Sequence, residues 1–91
     1  MLDPVALLSE FFGTFALVLA ILVTAGNPLA VGGALAIVVA LVGKVSGAHV
    51  NPAVSLAVFM KGSLSQKELG AYIVAQVAGG LGALYALKNI G

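Results

Sequence analysis

The chain contains no cysteine, so no disulfide framework and no thiolate metal site can form. Charge is nearly as scarce. Only 8% of the 91 residues are charged, against about 25% in a soluble domain, so polar groups cannot cover a globular surface. The formal net charge of +1 excludes the basic footprint of a nucleic-acid binder. One histidine and three acids are too few for a metal cluster or a nucleophile–base–orienter set. Ser46, His49 and Ser55 lie close in sequence, but no base–orienter pair accompanies them. An enzyme is therefore the least expected class, and no cofactor or metal is implied. No basic residue precedes the first apolar run, and that run is too long for a secretory h-region, so a cleaved signal peptide is not expected.

What the chain has is long apolar runs, 62% hydrophobic residues overall. The first spans about residues 4–24, opened by Asp3 as cap and Pro4 in the first helical position. As a helix it is about 31 Å long, enough to cross a hydrocarbon core of about 30 Å. Gly26-Asn27-Pro28 reads as a tight turn. The second run, about 29–45, is shorter, with Lys44 able to snorkel at its end. A third, about 66–87, starts after Ser65 as cap. Between them, Pro52 to Met60 is apolar but would span only about 14 Å, half a bilayer core.

The pattern predicts an all-α membrane protein in a single domain. Three crossings are joined by a re-entrant loop and half-helix at about 46–60, without internal repeat. Lys44 and Lys61 put the loop's entrance and exit on one membrane face. With Lys67 they place the N-terminus in the cytoplasm by the positive-inside rule, leaving Lys88 outside.

The loop Ser46-Gly47-Ala48-His49-Val50-Asn51-Pro52 is the polar exception. Irregular backbone is tolerated at membrane depth only where protein buries it or water bathes it, so this segment reads as a pore or binding site. Asn51 is placed to cap the half-helix. Its amide donates hydrogen bonds, and the helix end adds partial positive charge. Unwound backbone before it presents carbonyl acceptors. Donor and acceptor together suit a neutral solute rather than a cation. Glu10 is the only acid away from the ends of a crossing, and its cost there predicts an interior position accepting bonds from loop N–H groups. Gln76, inside the third crossing, needs a partner and is expected to bond to the loop. His49 packs the loop or lines the pore. Gly13, Gly79, Gly80 and Gly82 permit close helix approach. Phe11, Phe12, Phe15, Tyr72 and Tyr85 are expected to face lipid or a neighbouring helix.

Ser46-Gly47-Ala48-His49-Val50-Asn51-Pro52-Ala53-Val54 resembles the first Asn-Pro-Ala loop of the aquaporin and aquaglyceroporin (major intrinsic protein) family. Ser9-Glu10-Phe11-Phe12-Gly13-Thr14-Phe15 resembles the start of that family's first helix, and Tyr72-Ile73-Val74-Ala75-Gln76 its third. The resemblance implies half of an aquaporin-like bundle, whose complete form pairs two inverted halves with their half-helices tip to tip. It implies that Asn51 donates to the permeating molecule and that the carbonyls of Gly47, Ala48, His49 and Val50 line the pore entrance. Pro52 and Ala53 would set the helix-tip contact, with Glu10 and Gln76 bracing the loop. The filter position on the second helix falls near Val31, aliphatic where many water-selective members carry an aromatic. The family's filter arginine has no counterpart, since this sequence has no arginine. Both departures imply a wider, less polar filter that passes small neutral solutes such as glycerol as well as water. One half cannot close a pore. The expected partners, besides membrane lipid, are an inverted second copy or a different chain supplying the other half, with higher oligomers beyond that. The alternative is a non-transporting structural subunit derived from a channel half.

Overall fold

A computed structural model describes residues 2–90. Four helices follow one another: α1 (Pro4–Thr24), α2 (Pro28–Ser46), α3 (Pro52–Lys61) and α4 (Gln66–Ile90). Each start is set by local chemistry. Asp3 accepts from the Val5 N–H at 2.9 Å, Asn27 from Ala30 at 3.1 Å and Asn51 from Ala53 at 2.8 Å, each with proline in the first turn. Ser65 and Glu68 exchange bonds at the head of α4, a reciprocal capping box. Ser65→Ala removes one half of that exchange and should cost about 1 kcal/mol. Faster amide exchange confined to the first turn of α4 is the expected signature, and unchanged exchange there would refute it.

The helices differ slightly from the sequence expectation. Asn27 is a cap rather than the centre of a turn, so α2 starts at Pro28, and it runs on to Ser46. α3 gains Lys61, and α4 continues to Ile90 rather than stopping near residue 87. α2 and α3 both end on left-handed glycines, Gly47 (φ 89°) and Gly62 (φ 95°).

α1 is the central element, packed against α4 on one side and α2 on the other, while α3 rests on α4. α1, α2 and α4 are each long and apolar enough to cross a membrane, and α3 is the short apolar exception. Burial is inverted relative to a water-soluble protein. Leu29, Leu41, Met60 and Val74 are exposed, whereas Glu10, Ser46, Ser55 and Gln76 are buried. That inversion suits a chain whose solvent is hydrocarbon, where polar groups must be satisfied internally. The helices come close at Gly79 of α4, where only the missing Cβ lets the backbone of Phe11 and Phe15 come against it. Gly13 of α1 leaves room for the side chains of Val50 and Val38. A Cβ added at Gly80 or Gly82 would meet only Val18, or the rings of Phe11 and Phe15, at ordinary contact distance.

Candidate half-pore at the Asn51 loop

The loop between α2 and α3 is held by one carboxylate. Both oxygens of Glu10, fully buried, act purely as acceptors. Oε1 takes the Val50 N–H at 2.8 Å and the Gln76 Nε2 at 2.8 Å. Oε2 takes the Ser46 hydroxyl at 2.7 Å and the His49 N–H at 3.1 Å. Ser46 Oγ in turn accepts from the Ala48 N–H at 3.1 Å. Three consecutive loop amides are thus turned inward. In a trans peptide the carbonyl points opposite to the following N–H. The carbonyls of Gly47, Ala48 and His49 therefore face away from these acceptors, and no donor among the described residues occupies them.

This arrangement requires unusual backbone. Gly47 (φ 89°), Ala48 (φ 49°) and Val50 (φ 46°) all lie in the left-handed region. A β-branched residue there is strained, on the order of 1–3 kcal/mol. Two interactions offset the strain at Val50. Its N–H is bonded to Glu10, and its side chain packs with Val38 and Ala48 in a buried cluster flanked by Leu17 and Val42.

A second set of contacts ties α3 and α4 to the same centre. Gln76 Nε2 donates to Ser55 Oγ at 2.8 Å as well as to Glu10. Ser55 Oγ also lies 2.8 Å from His49 Nδ1. The Tyr72 hydroxyl donates to the Ser46 carbonyl at 2.7 Å, and its ring lies 5.0 Å from that of His49.

Gln76 was expected to bond to the loop; it reaches it through Glu10 and through Ser55 of α3, its single NH2 group being used twice on those two acceptors. Of the two placements expected for Tyr72, it takes the neighbouring helix: it is buried under the loop, where its hydroxyl satisfies the carbonyl of Ser46 at the end of α2. Ser55, Ser46 and Tyr72 were not singled out as contacts of the loop. Ser55 did carry a signal, a lone hydroxyl one turn after Asn51 in an otherwise apolar half-helix.

Asn51 stands exposed at the tip of α3 with Pro52 and Ala53. Its Oδ1 is spent on the Ala53 N–H, which turns the NH2 group outward with no acceptor among the described residues. His49 is buried except for about a tenth of its surface. Val31 lies half-buried near the start of α2, a helix length from the loop that ends it. The described residues contain no cluster of three metal-ligating side chains.

Crossing helices of this length, an apolar surface and a buried polar hub under an irregular loop define an integral membrane protein with a re-entrant half-helix. The family described as MIP, Major intrinsic protein, matches residues 25–90, and the chain belongs to it. It is 46% identical over 55 residues to "Aquaglyceroporin AqpS" of Rhizobium meliloti, covering 60% of this chain and 24% of that protein. It is 43% identical over 96 aligned positions to "Aquaporin Z" of Brucella melitensis, covering 90% of this chain and 42% of that protein. It is 33% identical over 90 positions to "Glycerol uptake facilitator protein-like 6" of Lactiplantibacillus plantarum, with the same two coverages. The chain thus spans less than half the length of these curated relatives. No solved structure shows a significant match.

Proposed function

We propose that the chain is one aquaporin-like half-repeat, half of a passive channel for water and small neutral solutes such as glycerol. The observation that carries this reading is the pairing at the tip of α3. An outward NH2 on Asn51 stands beside unoccupied carbonyls of Gly47, Ala48 and His49. A hydroxyl-bearing solute needs both a donor and acceptors, and the N-terminal end of α3 disfavours a cation. The names of the relatives, an aquaglyceroporin, an aquaporin and a glycerol facilitator, support the same solute class. The N-terminus lies in the cytoplasm, with Lys44, Lys61 and Lys67 on that face.

The other half of the pore comes from an inverted second copy. Two copies related by an axis in the membrane plane would bring two Asn51 side chains together at mid-depth, the symmetry of inverted-repeat transporters. Both insertion orientations are then required. If every copy maps with its N-terminus inside, a different chain must supply the second half.

The test is osmotic shrinkage of liposomes holding only this chain, with water and then glycerol as permeant. Flux well above that of empty liposomes is expected. Its absence from folded, inserted protein would leave a structural subunit as the reading. Asn51→Asp should lower neutral-solute flux several-fold or admit cations, because a carboxylate replaces the only side-chain donor at the tip. Unchanged permeability would remove Asn51 from the pore.

A further inference from the structure

We infer that one water molecule is a built-in part of the buried hub, held between Thr14 Oγ1 on α1 and Gln76 Oε1 on α4. Among the described residues, these two buried side-chain atoms have no hydrogen-bond partner. Thr14 is 5% exposed and Gln76 1%, so both lie inside the chain rather than on the open face of the loop. Buried polar atoms are rarely left bare, and internal water is their usual partner where protein supplies none.

The two atoms are complementary in chemistry. The Gln76 amide cannot be reversed, because Glu10 Oε1 at 2.8 Å offers only acceptor capacity and needs the NH2. Its oxygen is therefore fixed as an acceptor in want of a hydrogen. Nearby hydroxyls are committed elsewhere, Ser46 to Glu10 and Tyr72 to the Ser46 carbonyl. Thr14 has a hydrogen to give, and it differs from the other hydroxyls of its own helix. Ser9 and Thr24 close onto the carbonyl four residues back, at 2.7 and 2.6 Å. That is how Ser and Thr usually settle inside a helix, and Thr14 does not do so.

The seam between α1 and α4 brings the two to one level. Gln76 meets Glu10, a Cβ on Gly79 would meet Phe11 and Phe15, and one on Gly80 would meet Val18. Thr14 lies within this stretch of α1, one turn on from Glu10 and on the same face. The atoms do not bond to each other, and one water with two ordinary bonds spans about 5.5 Å. It would accept the Thr14 hydrogen and give one of its own to Gln76 Oε1. The Gln76 amide is then clamped at both ends, by its NH2 on Glu10 and Ser55 and by its oxygen through water to α1. Thr14 is a positioning residue: it sets Gln76, and through Gln76 the carboxylate that carries the loop.

The sign of one substitution tests this. Thr14→Val keeps the side chain's shape and removes its hydroxyl. At a dry site that trades an unpaired polar atom for a methyl, and unfolding in detergent should shift to higher denaturant. At a hydrated site it strips the water of a partner, and the midpoint should fall. The fall is the expected result, with Thr14→Ser close to the parent. Solvent exchange of the Gln76 side-chain NH2 should rise several-fold in Thr14→Val and return to the parent rate in Thr14→Ser. Crystals of the whole chain, at a resolution that shows ordered water, should hold one within hydrogen-bond distance of both atoms. A raised or unchanged midpoint for Thr14→Val would overturn the water site. So would a Thr14 hydroxyl bonded directly to Gln76, or turned back onto the Glu10 carbonyl, with no water between. A Gln76 signal unmoved by Thr14→Val would show that Thr14 does not position it. The site stands or falls by these readouts whether or not the chain conducts.

Discussion

Gly79→Ala is expected to unseat α4 from α1, while Gly80→Ala, one residue on, should be close to silent. A Cβ on Gly79 would collide with the Phe11 carbonyl oxygen and come within 3.1 Å of the Phe11 carbonyl carbon and 3.2 Å of the Phe15 nitrogen. All three are backbone atoms, so no rotamer change relieves them. Overpacking where side chains can yield costs about 1–3 kcal/mol. Here the helices themselves must part, and the cost should lie at or above the top of that range. Separation also stretches the 2.8 Å bond from Gln76 to Glu10, one turn away on the same seam. Membrane helices associate through packing and polar contacts without a hydrophobic drive between them, so little else holds the pair. A Cβ on Gly80 meets only the Val18 methyl at 3.6 Å, ordinary contact. Unfolding of both variants in detergent micelles is the check. Equal stability would mean that α1 and α4 do not approach as closely as this at Gly79.

The sequence could not have told these two glycines apart, and the reason is general to the chain. Apolar length made the three crossings legible, and Asp3-Pro4, Asn27-Pro28, Asn51-Pro52 and Ser65 announced the helix starts through local chemistry. Glu10 stood out because a carboxylate in an apolar run must find partners. Which face of α4 meets α1 was not legible, because α4 is apolar nearly all round and its periodicity points nowhere. The hydroxyls were hidden for a related reason. Ser46 and Ser55 are small residues compatible with any membrane helix, and only the tertiary arrangement makes them bond to Glu10 and Gln76. Left-handed Gly47 is unsurprising for a glycine. Left-handed Val50 runs against its residue type and becomes intelligible only once its amide is seen on Glu10.

Glu10→Gln should loosen the whole loop although it keeps the side chain's shape. Each carboxylate oxygen receives two donors, Val50 N–H and Gln76 on one, His49 N–H and Ser46 on the other. An amide replaces one of those oxygens with an NH2, and either orientation sets a donor against a fixed loop N–H, that of Val50 or that of His49. A buried donor left unsatisfied costs about 1–3 kcal/mol. Amide exchange at His49 and Val50 should accelerate by orders of magnitude. Gln76→Leu is the milder companion, since it removes one of the four bonds to Glu10 and leaves both loop amides in place. The functional consequence follows through the peptide planes. The Ala48 and His49 carbonyls are aimed by the amides that Glu10 holds, so releasing those amides releases the carbonyls. Solute flux should then fall in the Glu10 variant without any change to Asn51. If the His49 and Val50 amides stay protected in Glu10→Gln, the left-handed backbone is held by the packing of Val50 against Val38 and beside Gly13. The carboxylate would then be a passenger in a loop shaped by its apolar contacts.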